Sequence, residues 1–142
     1  MMGVIFWFSA QDGSESEAWS GPIADFVFGI LRVFDSSLTN EGCTYIVRKA
    51  AHFNEYALLA FLILQTVRSF SAQGNLLPKA VGSFCVAAAY AVSDEIHQYF
   101  VPGRACQVKD MLIDSSGALF GVLLTVLVIR FCGKDKNKQD GK

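Results

Sequence analysis

KDMLIDSSGALFGVLLTVLVIR, residues 109–130, decides how the rest of the chain is read. Its distal part, Leu119 to Ile129, carries no charge. About 20 apolar residues in a helix cross the roughly 30 Å hydrocarbon layer of a bilayer, and Met111–Cys132 reaches that length. The stretch nevertheless opens on two acids. Asp110, Asp114, Gly117 and Gly121 fall at helical intervals of four, three and four, so they share one stripe. Small residues at a GxxxG spacing let two backbones approach closely. The stripe is therefore expected to face other helices and to carry its carboxylates into the bundle.

Two more segments read the same way. Val47–Phe70 is apolar from Tyr56 to Val67 apart from Gln65 and Thr66, and Lys79–Val101 is rich in Ala and Val up to Val92. Each is long enough to span. Met1–Ala10 is apolar but covers only about half a hydrocarbon layer, so it is the stub of a span or an interfacial anchor. The polar stretch Gln11–Lys49 hides Ile23, Phe26, Val27, Ile30, Leu31 and Phe34 at helical spacing behind Pro22, which predicts a short amphipathic helix lying in the interface or packed over the bundle. The expected fold is all-α: a polytopic transmembrane bundle of three full spans, with that N-terminal segment and interfacial helix. Residues 1–133 form the membrane domain and 134–142 a charged tail.

Composition agrees. The chain has 142 residues, is 52% hydrophobic and contains 12 Phe, with a mean hydropathy of +0.36. A formal net charge of −1 offers no field for nucleic acid. The four cysteines show neither CxxC nor metal-ligand spacing, and no HExxH motif occurs, so no metal or cofactor is expected. With three spans, one side receives Arg68, Lys79, Arg130, Lys134, Lys136, Lys138 and Lys142, and the other Arg32, Arg48, Lys49, Arg104 and Lys109 amid many acids. The richer side, with the C-terminus, is expected to be cytoplasmic.

Ionisable groups inside spans are costly and mark function or helix pairing. Arg48, Lys49, His52 and Glu55 open the first long helix, Asp94, Glu95 and His97 close the second, and Asp110 and Asp114 open the third. An up-down path brings these three ends to one membrane face, the outer one by the orientation above. Arg48, His52, Glu55, Tyr56 and Leu59 share a stripe, as do Tyr90, Asp94 and Gln98. Arg104, after the Pro102-Gly103 turn, is placed to reach back towards the acids with a fork suited to carboxylate or phosphate.

Two readings follow. In one, the chain is an enzyme acting on an amphiphile: His52 or Glu55 moves a proton, with Asp94 or Glu95 as partner acid or base. Arg48, Lys49, Tyr56, Gln98, Arg104, Asp110 and Asp114 then hold a lipid or lipid-linked headgroup. In the other, the cluster is a non-catalytic binding or scaffold site whose charges lock the helices by ion pairs. A transport path would want polar groups at several depths, and the far halves are almost uncharged.

RKAAHFNEY (48–56), SDEIHQYFVPGR (93–104) and Asp110 with Asp114, Gly117 and Gly121 together resemble the VanZ-like family, and FWFSAQ (6–11) is similar to its entry into the first outer loop. The resemblance covers about residues 5–130. It implies a bacterial polytopic membrane protein of the cell envelope, in a family whose namesake lowers susceptibility to teicoplanin, and it supplies no reaction. Relatives carry a full apolar helix where this chain has a stub. The position of Asp114 is often Asn among them, which implies a hydrogen-bonding position more than an obligatory charge.

Overall fold

The computed structural model describes residues 1–11, 21–23, 25–30, 39–71, 73–104 and 106–139, with the backbone alone for 132–139. It is helical, with no strand among the described residues. Four helices carry the architecture: α1 (Met2–Ser9), α2 (Asn40–Phe70), α3 (Leu76–Gln98) and α4 (Val108–Gln139). Residues 21–23 and 25–30 are also helical, while Leu31 and Phe34 of the predicted amphipathic helix lie outside the described residues.

Each long helix starts earlier than the apolar pattern suggests, and the caps explain why. Thr39 is the N-cap of α2 and accepts from the Gly42 N–H at 3.2 Å, and Glu41 sits in the first turn at the positive end of the helix dipole. The charged residues Arg48 and Lys49, which mark the start of an apolar run, are thus two turns inside the helix. Asn75 caps α3, accepting from Leu77 N–H at 3.0 Å. Pro78 then falls in the first turn, where its missing N–H would have had no intrahelical partner. Lys79 reaches back from α3 to the carbonyls of Ser71 and Gln73 and closes the α2–α3 link. At the opposite end Gly103 adopts φ +76°, and the turn is closed by Arg104 N–H to the Val101 carbonyl at 3.2 Å.

The most extensive packing is between α2 and α4, then α3 against each, with α1 laid on α3. Tyr56, Leu59, Ala60 and Leu64 of α2 are buried against Ala118 and Val122 of α4 and against Ala80, Ala87 and Ala91 of α3. Small residues line the α3 seam, and Gly117 and Gly121 make the α4 seam possible. A Cβ on Gly117 would overlap the Phe53 carbonyl, and one on Gly121 the Ala57 carbonyl. The helices therefore meet backbone to backbone, as the glycine register predicts.

Two helical stretches, Leu76–Gln98 and Val108–Phe131, are long and apolar enough to cross a membrane. Only 22% and 33% of their most apolar windows is buried within the protein, so neither is the enclosed core helix of a soluble domain. Leu112, Leu119, Phe120, Leu123, Leu127 and Val128 point outward instead. Three full spans were expected, and two are found on this test. The remaining long helix, α2, is diluted by His52, Asn54, Glu55 and Gln65. α1, at eight residues, is too short to cross. α4 continues past residue 133 without a break.

Candidate functional site

The polar ends of α2, α3 and α4 meet as their alternating path requires. On α2, Tyr45, Arg48, Lys49 and His52 follow at intervals of three, one and three, which is a single face. Glu95 and Gln98 come from α3, Asp110 and Asp114 from α4, and Gly103, Arg104 and Gln107 from the link between them. Together these line a cavity of about 320 Å³.

Four carboxylates around this end are buried: Asp94, Glu95, Asp110 and Asp114, none more than 8% exposed. Buried carboxylates are expensive unless something compensates them. Lys49 Nζ lies 2.5 Å from Asp110 Oδ1 and 5.2 Å from the centre of the Tyr45 ring. Glu95 accepts the Gln107 backbone N–H at 3.2 Å. Gln98 donates to Asp94 at 3.2 Å, and the hydroxyls of Ser9 and Tyr56 also sit beside that carboxyl, although neither meets it in hydrogen-bonding geometry. Asp114 is served worst. His52 Nδ1 stands 3.8 Å from its Oδ1, beyond hydrogen-bond reach. Neither Asp114 oxygen has a hydrogen-bond partner.

A second cleft, about 240 Å³, opens beside the first. Its wall is mostly apolar, from Ile5, Phe8, Ile23, Val47 and Ala51, with Glu55 at its side. Arg48, His52 and Arg104 belong to both spaces and form the partition between them.

The structure thus gathers Arg48, Lys49, His52, Glu95, Gln98, Arg104, Asp110 and Asp114 around one space. The other three predicted site residues stand apart. Glu55 turns to the apolar cleft. Tyr56 is wholly buried behind the cavity, and Asp94 lies with it. Arg104 has a further role: its Nε donates to the Gln11 carbonyl at 2.9 Å and its terminal nitrogen to the Phe8 carbonyl at 3.2 Å, so it secures the end of α1. His97 stacks on Phe6 with ring centres 4.4 Å apart and faces α1. Tyr45 and Gln107 enter the cavity wall unanticipated. Tyr45 lies one turn before Arg48 and Lys49 and would have joined their stripe had the helix been read from Asn40. Gln107 contributes a backbone N–H, which no side-chain pattern announces. Among the described residues, no three His, Cys, Asp or Glu side chains converge to hold a metal ion.

The family model described as VanZ/LLP1 matches residues 1–129. No curated protein and no solved structure matches the chain.

Proposed function

The chain belongs to the VanZ/LLP1 family, and on that premise we propose that it binds the polar head of an amphiphilic cell-envelope molecule within the membrane. The observation that carries the reading is the shared partition: Arg48, His52 and Arg104 bound a polar cavity on one side and an apolar cleft on the other. An amphiphile needs both environments within one molecule's length. Arg48 offers a planar donor fork to a phosphate or carboxylate, Arg104 adds positive charge beside it while holding the end of α1, and the cleft takes the first part of an alkyl chain.

On this reading α2 crosses the bilayer as a third span. The Lys and Arg distribution supports an outer-leaflet cavity and a cytoplasmic C-terminus. The helical residues 21–23 and 25–30, with Ile23, Phe26 and Ile30 exposed, lie along the interface, tied to α2 by Asn40 donating to Asp25 at 3.1 Å. A lipid-linked envelope intermediate fits the family, and the expected phenotype is a change in teicoplanin susceptibility.

A scaffold made only of ion pairs would close on itself. This one keeps an open cavity and leaves Asp114 without a hydrogen bond. Chemistry on the occupant is a second reading, favoured by His52, whose buried Nδ1 also lacks a hydrogen-bond partner and stands at the partition where a proton would be moved.

The test is capture of lipid by the purified protein from an envelope-lipid extract, read by native mass spectrometry. Wild type retains an amphiphile, and Arg48→Ala retains it at least about tenfold less with unchanged helicity and elution volume. A mass change in the retained lipid establishes the catalytic reading. Wild type emerging without any lipid defeats the proposal.

A further inference from the structure

The polar cavity is not a simple anion site. Its wall carries Arg48, Lys49 and Arg104 on one hand and Glu95, Asp110 and Asp114 on the other. Lys49 and Asp110 are engaged with each other. The rest of the charged wall is Arg48 and Arg104, the latter also bonded to the carbonyls of Gln11 and Phe8, against Glu95 and Asp114, which is balanced in charge. A plain phosphate drawn to Arg48 and Arg104 would also meet Glu95 and Asp114 at close range in a poorly solvated pocket, where like charges repel strongly.

The two acids are not equivalent. Glu95 has the Gln107 N–H. Asp114 is 1% exposed, lines the cavity and has two oxygens that accept nothing. A buried carboxylate with its acceptor sites empty is among the costliest arrangements in a protein interior. A group that donates hydrogen bonds and carries positive charge would relieve it, and an occupant of the cavity can bring one.

Resting on the amphiphile reading above, we infer that the occupant's head is zwitterionic: a primary ammonium group received by Asp114, a few bonds from the anionic group held by Arg48 and Arg104. A primary ammonium has three N–H donors on a compact charge, enough to serve both Asp114 oxygens. A quaternary ammonium has the charge and no donor. A hydroxylated head has donors and no charge. The chemistry selects an amine-bearing phosphate or carboxylate amphiphile, whether the amine belongs to the lipid's own head or to an aminoacyl group linked to it.

Native mass spectrometry of the full-length protein against four phospholipids with the same acyl chains tests this. The heads are ethanolamine, N,N-dimethylethanolamine, choline and glycerol. Retention of the ethanolamine lipid exceeds that of the choline and glycerol lipids by about tenfold, the scale of one charge-assisted hydrogen bond, with the dimethyl lipid between. This series removes N–H donors one set at a time on unaltered protein, so it does not depend on any variant folding. Asp114→Asn then narrows the preference for ethanolamine over glycerol, because the ammonium loses its charged partner and the anionic glycerol lipid is no longer repelled. An aminoacylated glycerol phospholipid, added as a fifth probe, separates the two sources of the amine. Equal retention of all four heads, or preference for glycerol, overturns the inference and leaves the amphiphile site standing. No retention of any probe overturns the inference, and the amphiphile site falls with it when the envelope-lipid extract also leaves no lipid on the protein.

Discussion

Where α4 meets α2, Gly117 and Gly121 press against the backbone of Phe53 and Ala57 and leave no space for a methyl group. One turn earlier on the same stripe, Asp114 faces a cavity of about 320 Å³ and bonds to nothing. The first region is closed, apolar and built from the smallest residues. The second is open, charged and incompletely satisfied. A chain under selection only for stability would fill the second as it fills the first, because buried ionic groups rarely stabilise more than well-packed apolar ones. The contrast teaches that the seam holds the helices so that the polar end can stay open.

The strongest way to break this comparison is to disturb the seam. Gly121→Leu forces a side chain into the Ala57 carbonyl, where even a Cβ has no place. Overpacking usually costs about 1–3 kcal/mol. Here the obstacle is backbone on a helix that cannot shift alone, so a loss above about 3 kcal/mol is expected, seen as loss of monodisperse protein and a collapsed unfolding midpoint in detergent. Asp114→Asn, two turns away, should keep that midpoint within about 1 kcal/mol. If both variants unfold alike, the polar end is structural and the division into scaffold and site is mistaken.

Much of this was legible in the sequence, for reasons that differ by residue. The glycine register of 117 and 121 and the acids of 110 and 114 share one helix face, so a single periodicity reports both the seam and the site. The meeting of Lys49, Glu95 and Asp110 followed from alternating helix direction alone. The start of α2 was not legible, because hydropathy sees Arg48 and Lys49 as an end, whereas the helix is set by Thr39 and its cap. Nor was the part played by α1. Arg104 holds carbonyls of Gln11 and Phe8 more than ninety positions away, and such bonds to backbone depend on where the chain passes and not on which side chain it carries. Tyr56, Glu55 and Asp94 share helical stripes with the cavity residues but lie to the side or behind. A stripe is about 100° wide, and that width cannot separate a cavity wall from the layer supporting it.

A smaller effect sharpens the polar side. Lys49 and Asp110 are 2.5 Å apart with side-chain exposures of 21% and 11%, so solvent screens the pair in part. A double-mutant cycle with Lys49→Met and Asp110→Asn should give a coupling energy of about 1 kcal/mol in the unfolding midpoint. A coupling near 3 kcal/mol would mean that this ion pair carries the fold, and the open end would then be less free of structural duty than the unbonded Asp114 suggests.

The smallest expected effect lies at α1, which belongs to neither region and touches the second. Tyr90 Oη donates to the Met2 carbonyl at 2.7 Å and so fixes the start of a helix whose far end carries Ser9 beside Asp94 and the carbonyl of Phe8 held by Arg104. Tyr90→Phe removes that bond with little change of shape and should cost about 1 kcal/mol. The loss is local, because Ile5 stays buried in the core and the α2–α4 seam makes no use of Tyr90. Amide exchange from Phe6 to Ser9 should quicken about fivefold, the equivalent of that energy, while exchange near Phe53 and Ala57 is unchanged. Exchange rising equally at both places would show that α1 supports the seam itself, and the closed and open ends of the bundle would have to be treated as one cooperative unit.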